Sequence, residues 1–260
     1  MLVGLLAGAT PGVVLGGAAQ QLTLTPAADN SLFEEGDLSN GAGVYLFTGR
    51  IATGPRRRAL LRFDFSAIPA GSTIESVTLD VSMSRTISGT LTVRAHRLLA
   101  DWGEGTSDAP GQEGTGIAAG PNDATWAQRR GGQPWSTPGG DFAVLESGRS
   151  AIRDVGRYQF AGAGLAADVQ SFVDDPANNF GWILIGNEGA GFGSAKRLNS
   201  RENPDLTTRP VLTVTFQPGA APPPPAVAVP VLGPGALLAL ALALLAGGLR
   251  GVQRRGSSQC

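Results

Sequence analysis

Cysteine, histidine and lysine are almost absent from this chain of 260 residues. The one cysteine is the last residue, Cys260, and the one histidine is His96. Disulfide bonds therefore cannot stabilise a domain that precedes Cys260, and a zinc site built from several cysteines or histidines is excluded. A catalytic triad would have to use His96, which falls on the polar positions of a strand-like run, and no Gly-x-Ser-x-Gly nucleophile motif is present.

Charge is also scarce. Charged residues make up 16% of the chain, and the formal net charge is −1. Such a chain lacks the basic surface that nucleic-acid binding requires, so we expect no nucleic-acid partner. Residues 56–58 are three consecutive arginines. Because no aromatic residues are interleaved with them, we interpret this run as a solvated loop or strand edge.

Both ends of the chain are apolar. Residues 1–19 are rich in small apolar residues and end in Gly-Ala-Ala, which predicts an export signal peptide. No basic residue precedes this run, so we expect either that the true start lies upstream or that the sequence is truncated. Residues 218–228 form a proline-rich linker, and residues 229–255 combine an apolar run with arginines. This order predicts export across the inner membrane and a C-terminal transmembrane helix, with its arginines in the cytoplasm.

The C-terminal segment resembles the bacterial sorting signals of the IPTL-CTERM and PEP-CTERM kind. The matching residues form a short motif and a basic cluster: Val229, Pro230, Val231, Leu232, Arg250, Arg254 and Arg255. The family motif usually carries threonine where this chain has Val231. The resemblance implies two partners, the inner membrane and an exosortase-type sorting enzyme that cleaves near the proline motif. A plain C-terminal anchor is the alternative.

The middle of the chain, residues 20–217, repeatedly alternates apolar and polar residues. Clear examples are residues 61–65, 77–83 and 212–216, separated from other runs by Gly, Pro, Asn and Asp. A period of two places the apolar residues on one face of a strand. Antiparallel strands with one dry face need a second layer, so the pattern predicts an all-β fold, a β-sandwich.

Two segments depart from this alternation. Leu165, Val169, Phe172 and Val173 recur at helical spacing before Pro176, which predicts one short helix. Residues 100–141 are rich in glycine yet contain three of the four tryptophans. Tryptophans are untypical of disordered tracts, so we expect a long ordered loop there.

Several segments of residues 22–217, taken in order, resemble the DNRLRE domain, a family of exported bacterial and archaeal modules. They are residues 58–64, 68–74, 102–106, 124–126 with Arg129 and Trp135, 138–141, 179–184, 200–202 and 209–214. The ordered set carries the resemblance, since no single segment is diagnostic. It implies a jelly-roll β-sandwich. Relatives include alginate-binding modules, which makes an acidic or neutral polysaccharide the expected partner.

Two groups of residues are candidates for binding such a polysaccharide. Trp135 could offer an aromatic platform to the CH face of a sugar, with Arg129 nearby as a polar group. Lys196, Arg197 and Arg201 lie on or beside the penultimate strand and could pair with uronate carboxylates. The alternative for Arg201 is an ion pair with Glu202 or a neighbour. We therefore expect a non-catalytic polysaccharide-binding module of the cell surface or extracellular matrix.

Two further functions stay open at this point. A purely structural surface or biofilm protein is one, and a polysaccharide lyase or hydrolase is the other, although nothing fixes two carboxylates at a catalytic separation. We assign no catalytic residue and no cofactor. The early polar residues Asp29, Glu34, Glu35 and Asp37 could hold a structural calcium ion, but their spacing is not that of an EF-hand.

Overall fold

The computed structural model describes residues 18–189 and 193–219. The strands in these ranges are β1 Gln20–Leu24, β2 Ala28–Phe33, β3 Leu38–Ser39, β4 Tyr45–Arg50, β5 Arg56–Arg62, β6 Thr73–Thr86, β7 Leu91–Leu98, β8 Ile117–Ala118, β9 Gln128–Arg130, β10 Gln133–Pro134, β11 Phe142–Ile152, β12 Gly156–Ala161, β13 Trp182–Ile185, β14 Lys196–Asn199 and β15 Val211–Gln217. One helix, α1, spans Ala163–Asp174, and two 3-10 turns span Pro176–Asn178 and Leu206–Thr208.

The predictions for the two ends fall almost entirely outside the described residues. This holds for the signal peptide up to residue 17, the linker from residue 220, and the sorting motif with its apolar run and arginines. Among the residues that are described, no helix is both long enough and apolar enough to cross a membrane.

The all-β prediction is confirmed, but the sandwich is wrong. Eight strands form a closed hydrogen-bonded circuit in the order β6-β12-β11-β7-β13-β5-β4-β14, and β14 pairs back onto β6. A sandwich has two sheets with free edges, whereas this arrangement is a barrel. Strands β15 and β1 extend the sheet beyond β6, and β2 pairs with β5.

The length of β6 explains the closure. Its residues 73–80 pair with β15, while its residues 83–86 pair with β14 in a ladder that contains one register shift. A strand of 14 residues can therefore join what would be the edges of two sheets. The shortest ladder of the circuit joins β11 and β12, in which Arg149 opposite Ala161 is the single aligned pair.

The main core fills the barrel, as the alternating pattern predicts. Leu79, Val81 and Met83 of β6 point into it together with Leu61 and Leu184. The predicted helix is confirmed as α1, which buries Leu165, Val169, Phe172 and Val173 against this core. Fully burying one such side chain stabilises the fold by about 1.5–3 kcal/mol, so the helix is firmly held.

A second core lies on the other face of β5 and β13. Leu60 and Ile183 point outward from the barrel, where Trp102, Trp126 and Trp135 cover them. This explains why β5 and β13 are buried on both faces and show continuous apolar runs. The long segment 100–141 is ordered, as predicted, because its tryptophans anchor it to the barrel.

The arginine run is not a solvated loop or strand edge, contrary to our interpretation, although Arg56 is partly exposed. Arg56, Arg57 and Arg58 begin β5, and Arg57 is fully buried. Each guanidinium meets a carboxylate: Arg56 pairs with Glu34, Arg57 with Glu35 and Arg58 with Glu188. These three positive charges therefore form ion pairs within the fold.

Candidate functional site

A small pocket lies where β14 joins β6 at the end of the barrel circuit. Its volume is about 200 Å³. An apolar floor and a cationic rim line it, formed by Phe47, Ile51, Arg85, Thr86, Ile87, Gln112, Gly114, Ala195 and Arg197. Apart from Gln112 and Gly114 of the long loop, these residues come from strands β4, β6 and β14 or lie next to one of them.

The backbone brings two arginines side by side at this pocket. Arg197 of β14 lies opposite Arg85 of β6, and the next aligned pair is Leu198 with Met83. Ser84 is therefore an extra residue on β6, which makes a β-bulge. Bulges redirect the side chains next to them. Arg85 continues the inward phase of Met83 in sequence, yet its side chain is exposed.

The two guanidiniums share one neutral acceptor. Nη1 of Arg197 donates to Oε1 of Gln112 at 2.6 Å, and Nη1 of Arg85 donates to the same oxygen at 3.2 Å. Arg197 also donates through Nε to Ser84 and lies 3.7 Å from the ring centroid of Tyr45. Among the residues described, neither arginine forms a salt bridge with a carboxylate.

The surroundings of Arg197 disfavour its charge. Burial lowers the pKa of the Arg197 guanidinium from its usual range, and the like charge of Arg85 lowers it further, while Tyr45 and Glu113 act in the opposite direction. Arginine nevertheless stays protonated in proteins. The pocket therefore presents two adjacent positive charges that a bound anion would stabilise.

The pocket offers binding groups and no acid–base pair. The described residues that line it include no carboxylate and no histidine. Its hydroxyl group, that of Thr86, already bonds to Lys196. His96, elsewhere on β7, holds the carbonyl of Ala143 through Nδ1 at 3.0 Å. The arrangement can hold an anionic group against an apolar surface.

One residue of the predicted set, Arg197, lies in this pocket. Its neighbour Lys196 points the other way and is buried. The Lys196 ammonium donates to the hydroxyl of Thr86 and to the carbonyls of Ser88 and Gly89 at 2.7–3.1 Å. It therefore ties down the turn between β6 and β7, and burial lowers its pKa.

Arg201 belongs to a separate cluster, as the ion-pair alternative predicts. Its Nη1 donates to Glu104 at 2.7 Å and lies 3.4 Å from Glu202. Its backbone N–H donates to Asp29 at 2.7 Å. The pairing with Glu202 is confirmed, and Arg201 is not brought to the pocket.

The first predicted group, Trp135 with Arg129, does not form an open platform. Trp135 is 4% exposed, and its Nε1 donates inward to the carbonyl of Thr125 at 2.9 Å. The prediction is corrected here because the ring packs in the second core. Arg129 donates to the carbonyl of Asp101 at 3.3 Å, so its guanidinium bonds to the backbone of the same loop.

The residues considered for calcium do not converge either. Glu34 binds Arg56 and Glu35 binds Arg57, while Asp29 lies with Glu202 and Glu104. Within residues 18–189 and 193–219, no group of three or more His, Cys, Asp or Glu side chains is placed to hold a metal ion.

Sequence reasoning missed Arg85 and Gln112. Arg85 stands 112 positions from Arg197, and only the β6–β14 register brings the two together. One signal was available: Arg85 occupies the phase of Val81 and Met83, where a charged residue marks the end of a buried strand face. Gln112 in the long loop carries no such signal.

Comparison with known proteins adds no relative. No protein-family model matches the chain, and no curated protein matches it.

Proposed function

We propose that this chain is an exported surface or matrix protein. Its β domain is a non-catalytic module that binds acidic polysaccharide at the pocket between Arg85 and Arg197. The observation that carries the proposal is the pair of adjacent guanidiniums whose shared partner is the neutral amide of Gln112. A uronate carboxylate suits this pair because arginine binds carboxylates through two parallel hydrogen bonds.

The floor of the pocket suits a sugar ring. Phe47, Ile51 and Ile87 supply apolar surface, and Ile87 is 56% exposed. A pyranose presents CH groups on one face and hydroxyls on its edge, so it can pack on this floor while the polar rim takes the carboxylate. Gln112 is a further partner for hydroxyls.

The size of the pocket favours a polymer over a free small molecule. Pockets that enclose a whole drug-sized ligand measure about 300–1,000 Å³. This pocket, at about 200 Å³, is smaller. One residue of a chain that runs across the surface fits this volume, and the neighbouring residues stay outside.

Calorimetric titration of the full-length chain with polygalacturonate tests the binding. The matched neutral ligand is the fully methyl-esterified polymer, which keeps the rings and loses the charges. We expect binding to the acid alone, weakened by salt. Arg85→Ala and Arg197→Ala should each lower affinity at least tenfold, whereas Arg149→Ala, which removes an exposed arginine elsewhere, should not. Equal binding of both polymers would redirect the proposal to neutral glycans, and no binding would favour a purely structural protein.

Export is the second half of the proposal, and it rests on the sequence of the two ends. The proposed order is a signal peptide, the β domain outside the membrane, and a C-terminal anchor recognised by a sorting enzyme. Alkaline phosphatase is active only where its disulfide bonds can form, which is an oxidising compartment such as the periplasm. Fused after residue 219 it should be active, and fused after residue 260 it should be inactive. Equal activities would contradict the proposed orientation.

A further inference from the structure

One oxygen of a buried carboxyl group lacks a hydrogen-bond donor. This group lies at the end of β14 that is opposite the arginine pocket. Asp29 of β2 is fully buried. Its Oδ2 accepts the backbone N–H of Arg201 at 2.7 Å. Its Oδ1 is buried too, and no donor among the described residues reaches it. An unpaired buried oxygen of this kind is costly, so it calls for an explanation.

A second carboxyl group, that of Glu202, belongs to the same cluster. Arg201 connects the two groups, because its backbone N–H donates to Asp29 and its Nη1 lies 3.4 Å from Glu202. Oε2 of Glu202 is likewise buried without a donor in the described part of the chain. Each carboxyl group thus has one buried oxygen without a donor, and a single proton bound between the two groups would satisfy both oxygens.

The local charge balance points the same way. The charged groups that face Asp29 are Glu202 and Arg201 from the segment after β14, and Glu104 from the long loop. Glu104 already accepts from Arg201 and from the backbone N–H of Asp29. Three carboxyl groups therefore meet one guanidinium. Burial, and next the charge of Glu202, raise the pKa of Asp29 well above its ordinary value.

We propose that Asp29 and Glu202 share one proton at neutral pH, and that this proton clasps the segment after β14 onto β2. Two adjacent carboxylates cannot both ionise in a buried site without strong repulsion. A metal ion is the less suitable occupant, because the described acidic groups are not arranged around a common point for one.

The clasp holds a junction of the fold. The backbone N–H of Ser200 donates to the carbonyl of Val44 at 3.1 Å, and its hydroxyl donates to the carbonyl of Gly43 at 2.7 Å. Asn203 reaches Val44 as well. When the proton leaves, Glu202 has a route to solvent, since its side chain is 25% exposed. Loss of the proton therefore loosens residues 200–203 from β2 and β4.

Unfolding of the full-length chain by urea, measured from pH 5 to pH 9, tests the clasp without any glycan. The raised pKa of Asp29 belongs to the folded state, so the stabilisation is complete below the unfolded pKa of about 3.9 and is lost as pH rises through the folded value. Asp29→Asn replaces the proton with an amide N–H. We expect the ratio of the folding constants, wild type over variant, to fall by up to about tenfold per pH unit.

Two controls keep the result interpretable. Asp37→Asn makes the same change at an exposed aspartate in the loop after β2 and should leave the pH profile of the wild type unchanged. If Asp29→Asn fails to fold, Glu202→Gln tests the same pair from the other side, and carbon-13 NMR follows the Asp29 carboxyl directly. A carboxyl signal that titrates near pH 4 would overturn the proposal. So would stabilisation by calcium that Asp29→Asn abolishes, because a cation and not a proton would then fill the gap.

Discussion

The molecule contains two groups of neighbouring arginines that differ in whether carboxylates of the fold neutralise their charge. Arg56, Arg57 and Arg58 are consecutive in sequence, and each has its own carboxylate. Arg85 and Arg197 are distant in sequence, and they share an uncharged amide. The dense run is therefore part of the framework, while the dispersed pair keeps its charge available. Local density of positive charge in a sequence is not a measure of free charge.

Packing explains the first group. The guanidiniums of Arg56 and Arg58 each lie 4.7 Å from the ring centroid of Trp126, and that of Arg57 lies 4.6 Å from the ring centroid of Phe33. The long loop, which brings Trp126, covers this end of β5. Cation–π contacts and charge-assisted hydrogen bonds then hold the loop to the barrel. The first group has its carboxylate partners within the fold, whereas our proposal gives the second pair an external anion.

The largest expected effect on stability is at the paired group. Arg58→Ala removes a bidentate partner of Glu188, whose side chain is 14% exposed, and a donor to the carbonyl of Gly139. Removing one partner of a buried ion pair typically costs about 3–5 kcal/mol, and we expect a loss near the lower end, about 3 kcal/mol. Urea unfolding measures it. A loss below about 1 kcal/mol, the range of exposed pairs, would show that the two groups do not differ.

A buried lysine gives the next largest effect. Lys196→Met keeps the length of the side chain but removes the ammonium that donates to the carbonyls of Gly89 and Ser88, of which Ser88 keeps the Thr86 hydroxyl as a donor. A hydrogen bond from a charged group contributes about 1.5–3 kcal/mol, and we expect a loss of about 2 kcal/mol for this turn. Affinity for polygalacturonate should stay within about threefold of wild type, in contrast to Arg197→Ala. A large loss of affinity in the folded variant would move Lys196 into the binding site.

The outermost member of the paired group should matter less. The Arg56–Glu34 pair is about 30% exposed on each side, so we expect Glu34→Gln to cost less than about 1 kcal/mol at pH 7. Hydrogen bonding to Arg56 lowers the pKa of Glu34. The contribution is therefore present above the unfolded pKa of about 4.3 and is lost as pH falls through the folded value. Wild type and variant should converge in acid, and a difference that persists there would contradict the pairing.

The smallest effect on stability should be at the free pair. Arg85 is exposed and has a single long hydrogen bond to Gln112. We expect Arg85→Ala to change the free energy of unfolding by no more than about 0.5 kcal/mol, as is usual for surface substitutions. Thermal or urea unfolding checks this. A loss comparable to that of Arg58→Ala would mean that Arg85 serves the framework after all.

The alternation of apolar residues correctly predicted the strands that line the main core, and helical spacing correctly predicted α1. Barrel closure was out of reach, because it depends on the β6–β14 register and on a bulge at Ser84. The tryptophans correctly predicted order in the long loop. Their burial was not foreseen for Trp135, since a sequence does not show that β5 and β13 have a second face to cover. Arg197 was a predicted candidate and lies in the pocket, whereas Arg85 was missed because only the β6–β14 register brings it to Arg197.

The most direct test of the account is NMR of the arginine side chains during titration with a short oligogalacturonate. The Nε–H signals of Arg85 and Arg197 should shift with a common dissociation constant. Those of Arg56, Arg57 and Arg58 should stay in place, because their carboxylates already hold them. Shifts confined to the β5 arginines, or to Arg129 and Arg201, would contradict the claim that the polymer binds the arginine pair between β6 and β14.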